Sequence, residues 1–141
     1  MEIDQSVNQL NLQWTDIYYS LHYKHEDNIS HQAVRLLQYI DKNSESTIGN
    51  LAVCLSVSHN TASEHTKRLI QKGLAAKYRS EHDERKVFVA LTEKGRLVLE
   101  RNTQLDKEKL KSILERISVS ERELIEKAFY ILSKEAKQWQ L

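Results

Sequence analysis

Apolar residues recur at spacings of three and four along most of the chain, which is the period of an α-helix packed on one side. This spacing predicts a helix near the N-terminus, a second capped by Ser30, a third beginning near Ile48 and a fourth capped by Ser58. Two short runs, Lys77–Arg79 and Lys86–Leu91, have the shorter period of β-strands and predict a hairpin.

Two further helices are predicted after the hairpin. Thr92 is suited to cap a long helix that continues to about Ile117, and Ser118 with Glu121 fits a capping box that begins the last helix. Gly73 follows the fourth helix at a position that suits the left-handed conformation. The pattern therefore predicts a mainly α fold with one small β-hairpin.

The third and fourth helices form a helix-turn-helix pattern over residues 48–74. The fourth helix turns four residues inward: Ala62, Thr66, Leu69 and Ile70. Its opposite face holds polar groups and no large apolar side chain: His59, Asn60, Ser63, Glu64 and Lys67. A helix with this outer face is suited to contact a polar surface such as a DNA groove.

Charge is unevenly distributed along the chain. The formal net charge is only +1, yet residues 59–79 contain five Lys or Arg and a single acidic residue. Such a local positive stretch is typical of a phosphate-binding surface. The simplest alternative interpretation of this stretch is a solvated helix face. The highly charged hairpin that follows could reach a neighbouring groove.

The two ends of the chain have more apolar positions than a small DNA-binding module covers. The N-terminal helix has them at Ile3, Val7, Leu10, Trp14, Ile17 and Leu21. Exposed stripes of this kind are a solubility liability. We expect the ends to form a homodimer, which would place two recognition helices about one DNA turn apart.

Length and composition exclude several other classes. A chain of 141 residues suits one domain, and the absence of Pro with only three Gly favours helices. Its one cysteine excludes an internal disulfide, and no apolar run approaches the roughly 20 residues that span a bilayer. Met1–Leu10 lacks the features of a signal peptide, so we expect a cytoplasmic protein without membrane attachment. No motif indicates an enzyme or a cofactor.

Two stretches resemble the MarR family of bacterial winged-helix repressors. The third and recognition helices of that family resemble LAVCLSVSHNTASEHTKRLIQKGL (Leu51–Leu74), and its wing resembles DERKVFVALTEKG (Asp83–Gly95). The most specific part is the pair Asp83 and Arg85 followed by LTEKG. The helical pattern outside residues 48–95 agrees with the family but does not identify it.

The resemblance implies an architecture and partners. It implies one domain over residues 1–141, with a winged helix-turn-helix DNA-binding lobe at 30–95 and helical dimerisation regions at 1–25 and 96–141. It also implies a homodimer that binds a palindromic operator in double-stranded DNA. Such a regulator usually represses transcription until a small molecule or chemical signal releases the DNA.

The resemblance also implies residue roles. Arg85 would enter the minor groove with Asp83 orienting its guanidinium, while the recognition helix occupies the major groove. Lys86 and Arg79 would flank the phosphates. The expected DNA-contacting residues are Ser58, His59, Asn60, Thr61, Ser63, Lys67, Arg79, Asp83, Arg85 and Lys86.

Glu64 departs from the family pattern, which often has a basic or small residue there. Its carboxylate could accept a hydrogen bond from a cytosine amino group, or it could pair with Arg68 at i+4. The spacing favours the ion pair.

The signal that releases DNA stays open between three alternatives. Cys54 could sense oxidants, although a lone cysteine is more often a small packed residue. A metal could bind where the first helix ends, at His22, His25, Glu26 and His31, although a solvated helix end is the simpler interpretation. An aromatic or lipophilic acid could bind among Trp14, Tyr18, Tyr19 and Tyr39, although aromatics at helical spacing are more often core.

A winged-helix module that binds an acidic protein instead of DNA is the main alternative function. The two differ in their response to salt and to sequence, because a specific DNA binder prefers its site over random duplex.

Overall fold

The computed structural model describes residues 2–24 and 28–139, and within them it contains seven α-helices and one antiparallel hairpin. In chain order the elements are α1 (Ile3–Leu21), α2 (His31–Lys42), α3 (Ile48–Leu55), α4 (His59–Gln71), β1 (Ala75–Arg79), β2 (Val87–Leu91), α5 (Glu93–Thr103), α6 (Lys107–Arg116) and α7 (Val119–Ala136). A 3₁₀ turn, Lys137–Trp139, follows α7. The predicted mainly α fold with a small hairpin is confirmed.

The chain divides into two compact units. The first unit comprises Tyr23–Gln104. We call it the DNA-binding lobe, after the function that the sequence predicts for it. The terminal unit comprises Met1–His22 and Leu105–Leu141. Within the terminal unit, the Asp106 N–H donates to the Leu21 carbonyl over 2.7 Å, which joins the end of α1 to the start of α6.

All buried residues among those described belong to the lobe. Leu36 and Leu37 of α2 and Leu51 of α3 are 0% exposed. The inward positions predicted for the helix-turn-helix are confirmed for Ala62, Thr66 and Leu69, which are buried. Burying each large apolar side chain contributes roughly 1.5–3 kcal/mol, so this core is the main favourable contribution to the stability of the lobe.

Side-chain caps define where most helices begin. The hydroxyls of Ser30, Ser58 and Thr92 each accept from the backbone N–H three residues later, as predicted. Ser118 and Glu121 form the predicted capping box. The Ser118 backbone N–H and, with a smaller effect, the Ser118 hydroxyl donate hydrogen bonds to the Glu121 carboxylate. These bonds lower the pKa of that carboxyl group.

The prediction of a single long helix from Thr92 to about Ile117 is wrong, because two helices, α5 and α6, occupy this segment. The chain leaves α5 at Gln104, which is extended, and Asp106 caps a new helix. The Asp106 Oδ1 accepts from the N–H of Glu108 at 3.0 Å and of Lys109 at 3.4 Å. The helical spacing of apolar residues continues across this break, and no Gly or Pro lies at the break. The sequence pattern therefore did not reveal the break.

Two turns use the left-handed backbone region. Gly73 has φ +76°, as predicted for the residue that ends the recognition helix. Ser56, in the turn between α3 and α4, has φ 55° and ψ 47°. A non-glycine residue there is strained, because its Cβ approaches the following carbonyl oxygen.

The hairpin begins two residues before the predicted first strand. β1 pairs with β2 in antiparallel register from Ala75 opposite Leu91 to Arg79 opposite Val87. None of the helices in the described part of the chain is long and apolar enough to cross a membrane.

Candidate nucleic-acid interface

The recognition helix α4 is fixed to the lobe by its buried side. Ala62, Thr66 and Leu69 are 0–3% exposed, and the Thr66 hydroxyl donates to the Ala62 carbonyl over 2.8 Å. That internal bond lets a polar residue lie in the core without an unsatisfied group. The opposite side of α4 is consequently held at a fixed rotation.

The outward side of α4 carries polar groups along its length. His59, Asn60, Thr61, Glu64 and Lys67 are exposed and Ser63 is half-buried. Asn60, Glu64 and Lys67 follow one another at i, i+4 and i+7, so they share one face. This face presents donors, acceptors and one cation together.

Ser58 and Thr61 are partly engaged within the protein. The Ser58 hydroxyl accepts from the Thr61 N–H at 3.1 Å and donates to the Thr61 hydroxyl oxygen at 2.9 Å. The Thr61 hydroxyl keeps its own proton to donate elsewhere. Ser58 therefore positions the start of the helix, and its predicted DNA contact stays a prediction.

The ion pair favoured between Glu64 and Arg68 is wrong. Within the described part of the chain, Glu64 forms neither an ion pair within 4.0 Å nor a side-chain hydrogen bond. Both residues are exposed. A solvated i,i+4 pair gains only about 0.3–0.5 kcal/mol, so the spacing permits this pair without requiring it.

The wing tip, residues 80–86, is built by hydrogen bonds around Asp83. The Asp83 Oδ1 accepts from the Arg85 backbone N–H at 3.0 Å and lies 3.5 Å from the Arg85 Nε. The Ser80 hydroxyl accepts from the N–H groups of His82 and Asp83, at 3.2 and 3.3 Å. The Arg85 side chain is 94% exposed, so its guanidinium is open to solvent although its Nε lies beside Asp83.

Arg79 supports the tip from the end of β1. Its Nη1 donates to the Glu84 carbonyl over 2.8 Å. A guanidinium has five N–H donors, so the bond leaves others for a phosphate. The sequence indicates only a phosphate role for Arg79 and gives no signal of this contact.

The base of the wing is tied to the loop between α2 and α3. Val89 N–H donates to the Ser46 carbonyl over 2.8 Å, and the Tyr78 hydroxyl donates to the Ser44 carbonyl over 2.8 Å. Tyr78 also contacts the Phe88 ring at a centroid distance of 5.6 Å. The polar composition of residues 41–46 gave no signal of these contacts.

A second closure joins the two ends of the hairpin. The Thr92 hydroxyl donates to the Gly73 carbonyl over 2.6 Å, and the Thr92 N–H donates to the Leu74 carbonyl over 3.1 Å. Gly95 lies so close that a Cβ there would be 2.0 Å from the Leu74 oxygen. The glycine of LTEKG therefore permits close packing of α5 on the end of α4.

A family model described as transcriptional regulator SarA/Rot matches residues 19–102, which is more than half of the chain. The chain belongs to the SarA/Rot family of transcriptional regulators. Proteins of the SarA/Rot family are winged-helix regulators and not enzymes.

Solved structures similar to this SarA/Rot-family chain have the same fold. Rv1404 of Mycobacterium tuberculosis is 18% identical, with 97% of this chain and 96% of that chain covered, at a TM-score of 0.63. S. aureus MepR bound to ethidium bromide is 18% identical, covering 99% and 98%, at 0.61. A MarR family regulator from Silicibacter pomeroyi is 26% identical, covering 77% and 70%, at 0.50. The predicted resemblance to MarR winged-helix regulators is confirmed.

A comparison of this SarA/Rot-family chain with curated proteins finds no significant match.

Two residues of the predicted metal cluster, His25 and Glu26, lie outside the described residues. His22 Nδ1–H donates to the Tyr18 carbonyl over 2.7 Å, and its ring stacks on Tyr18 at 5.2 Å. His31 is the exposed first residue of α2. Among the residues that the structure of the SarA/Rot-family chain describes, no group of three His, Cys, Asp or Glu is placed to hold a metal.

The other candidate sensing residues lie in different surroundings. Cys54 is a half-buried free thiol, and its backbone carbonyl accepts from Arg35 Nη2 at 3.0 Å. Tyr39 packs half-buried against the core of the lobe. In the terminal unit of the SarA/Rot-family chain, Trp14 and Tyr19 are 47% and 82% exposed.

Proposed function

We propose that this SarA/Rot-family regulator binds double-stranded DNA sequence-specifically and represses transcription as a homodimer on an inverted repeat. The observation that carries the proposal is the combination, within one unit, of a rigidly held polar helix face and a wing whose Arg85 is 94% exposed. Few surfaces other than a duplex need a helix for one groove and a projecting guanidinium for the next.

The recognition helix supplies the contacts in the major groove. His59, Asn60, Ser63 and Lys67 offer groups that suit base edges and phosphates. Thr61, with its hydroxyl proton unused, suits a phosphate oxygen near the start of the helix. Ser58 contributes chiefly by capping this helix.

The wing supplies the contact in the minor groove. A narrow minor groove concentrates negative potential, which favours an inserted Arg85. Asp83 holds the backbone and the Nε of that residue, which lowers the entropy lost when the side chain is ordered. Lys86 and Arg79 flank the tip and are exposed, so both can approach phosphates.

The terminal unit supplies the dimer contacts. None of its described residues is buried, and many of its large apolar side chains are exposed. Those of α7 include Leu124, Ile125, Phe129, Tyr130, Ile131 and Leu132, which are 41–67% exposed. A second copy is the occupant proposed here, because an inverted repeat requires two recognition helices related by a two-fold axis. The terminal unit then provides the dimer contacts, and the DNA-binding lobe, Tyr23–Gln104, contacts the DNA.

Release of the DNA by a small molecule or chemical signal completes the proposal. Support comes from MepR, which is similar in fold and was solved bound to ethidium bromide.

Selection of bound sequences from random duplex by the purified protein tests the function. We expect a palindrome whose half-sites are one helical turn apart. With about six phosphate contacts per dimer, the affinity should fall roughly 10³-fold between 50 and 200 mM salt. Equal affinity for random and selected duplexes at about 150 mM salt would contradict sequence-specific repression and favour a protein-binding module.

A further inference from the structure

Glu64 is the only acidic residue of the recognition helix, and the mechanism above gives it no role. It lies one turn after Asn60 and one turn before Lys67, in the middle of the face proposed to enter the major groove. Its side chain is exposed and, within the described part of the chain, has no ion-pair or hydrogen-bond partner. Both Lys67 and Arg68 lie within helical reach and neither pairs with it.

A carboxylate in this position is selective because it can only accept hydrogen bonds. Most groups that a duplex presents there are also acceptors: phosphate oxygens, guanine O6 and N7, and thymine O4. These groups repel Glu64. The donors in the major groove are the amino groups of cytosine and adenine.

Cytosine suits the carboxylate better than adenine does. The adenine amino group lies beside the N7 acceptor of the same base, whereas the major-groove edge of cytosine carries no acceptor of its own. A carboxylate that approaches adenine therefore meets a repulsive lone pair next to its partner. Asn or Gln, with one donor and one acceptor, matches adenine instead.

We propose that Glu64 is a specificity-determining residue that accepts a hydrogen bond from the 4-amino group of a cytosine, once in each half-site. This inference rests on the proposed function, because it requires α4 to lie in the major groove. Glu64 weakens binding to every duplex through repulsion from phosphates and recovers that loss only where the cytosine is present. It raises the ratio of specific to non-specific affinity more than the affinity itself.

The test compares sequences selected from random duplex by the full-length protein and by three variants. Glu64→Ala removes the carboxylate, and Glu64→Gln keeps its size while changing its chemistry. Glu45→Gln is the matched control, since Glu45 is an exposed glutamate of the same lobe, outside the helix-turn-helix. Melting curves verify that all four proteins are folded.

We expect the unaltered protein and Glu45→Gln to select one invariant cytosine per half-site. Glu64→Ala should lose preference at that position alone, with discrimination there falling about tenfold, and should bind random duplex more tightly. Glu64→Gln should change the preferred base from cytosine to adenine.

Replacing that cytosine by 2-pyrimidinone, which lacks the 4-amino group, isolates the proposed bond. We expect about tenfold weaker binding of the unaltered protein and no change for Glu64→Ala, as in a double-mutant cycle. Identical selected motifs for the unaltered protein and both Glu64 variants would overturn this inference while leaving the proposed function intact. Selection of no motif by the unaltered protein would overturn both.

Discussion

The DNA-binding lobe and the terminal unit use apolar side chains in opposite ways. In the lobe, Leu36, Leu37 and Leu51 are wholly buried, and α2, α3, α4 and the hairpin all contribute to one core. In the terminal unit, Ile3 is 79%, Leu124 67% and Phe129 48% exposed. Helices of similar apolar content thus form a closed core in one place and an open surface in the other.

The difference indicates where each unit obtains its stability. The lobe buries its apolar groups against its own elements, so its stability should not depend on protein concentration. In the proposed homodimer a second copy covers the apolar side chains of the terminal unit, so the stability of that unit should rise with protomer concentration. Substitutions in the two units should therefore affect different measurements.

The largest expected effect is on the proposed homodimer. Phe129→Ala should weaken dimerisation by about 3–6 kcal/mol, because a buried Phe contributes roughly 1.5–3 kcal/mol and occurs twice in a symmetric interface. Sedimentation over a concentration series measures the change. Glu45→Ala, at an exposed position of the DNA-binding lobe, should leave the dimer unchanged. A Phe129→Ala protein that remains fully dimeric would remove this face from the interface.

The next effect tests the closed packing of the lobe. Gly95→Ala should lower the free energy of unfolding by about 3 kcal/mol or more, because its Cβ would lie 2.0 Å from the Leu74 oxygen. Gly49→Ala is the control, since its Cβ would make an ordinary 3.7 Å contact with the Thr47 hydroxyl. Urea unfolding measures both, and similar values for the two variants would contradict the close packing.

A smaller effect separates binding from stability. Arg85→Ala should weaken binding to the selected site by roughly 1–3 kcal/mol, as for other groove contacts, and leave melting and dimerisation unchanged because the side chain is 94% exposed. Titration of labelled operator measures the loss. Arg101→Ala removes the same charge from an exposed position on α5 and should have little effect. Unchanged affinity of Arg85→Ala would exclude the wing from the contact.

The smallest effect is a gain in stability of the lobe. Ser56→Gly relieves the strain of φ 55° and should raise the free energy of unfolding by about 0.5–1 kcal/mol after the greater freedom of unfolded Gly is subtracted. Ser58→Ala, two residues later, should instead lower it by about 1 kcal/mol through loss of the cap. Thermal melting distinguishes the two signs, and a loss for Ser56→Gly would show that the turn is not strained.

The parts of the fold that depend on local chemistry were predictable from the sequence. Ser30, Ser58 and Thr92 cap helices as expected, and Gly73 ends the recognition helix in the left-handed region. These signals act within three or four residues, so the local sequence is sufficient to predict them. The outer face of α4 followed from the same period once its buried side was known.

The contacts that sequence reasoning missed join residues far apart in the chain. Tyr78 bonds to Ser44, Arg35 to Cys54, and Val89 to Ser46. No local period encodes such pairs, because they depend on how elements pack. The Glu64–Arg68 ion pair failed for the opposite reason, since the spacing permits it and water removes most of its energy. The break at Gln104 had a local signal in Asp106, which the continuous apolar spacing outweighed.

The closure of the hairpin at Thr92 also bears on how such regulators diversify. Thr92 bonds to the carbonyls of Gly73 and Leu74, so the two ends of the hairpin are joined to each other. A tip of another length or charge would therefore leave the positions of α4 and α5 unchanged. The loop from Ser80 to Lys86 should consequently tolerate replacement by a loop of different sequence. Under the proposed function, a tip transplanted from another regulator should change the minor-groove preference of this lobe, while α4 continues to determine the sequence read in the major groove.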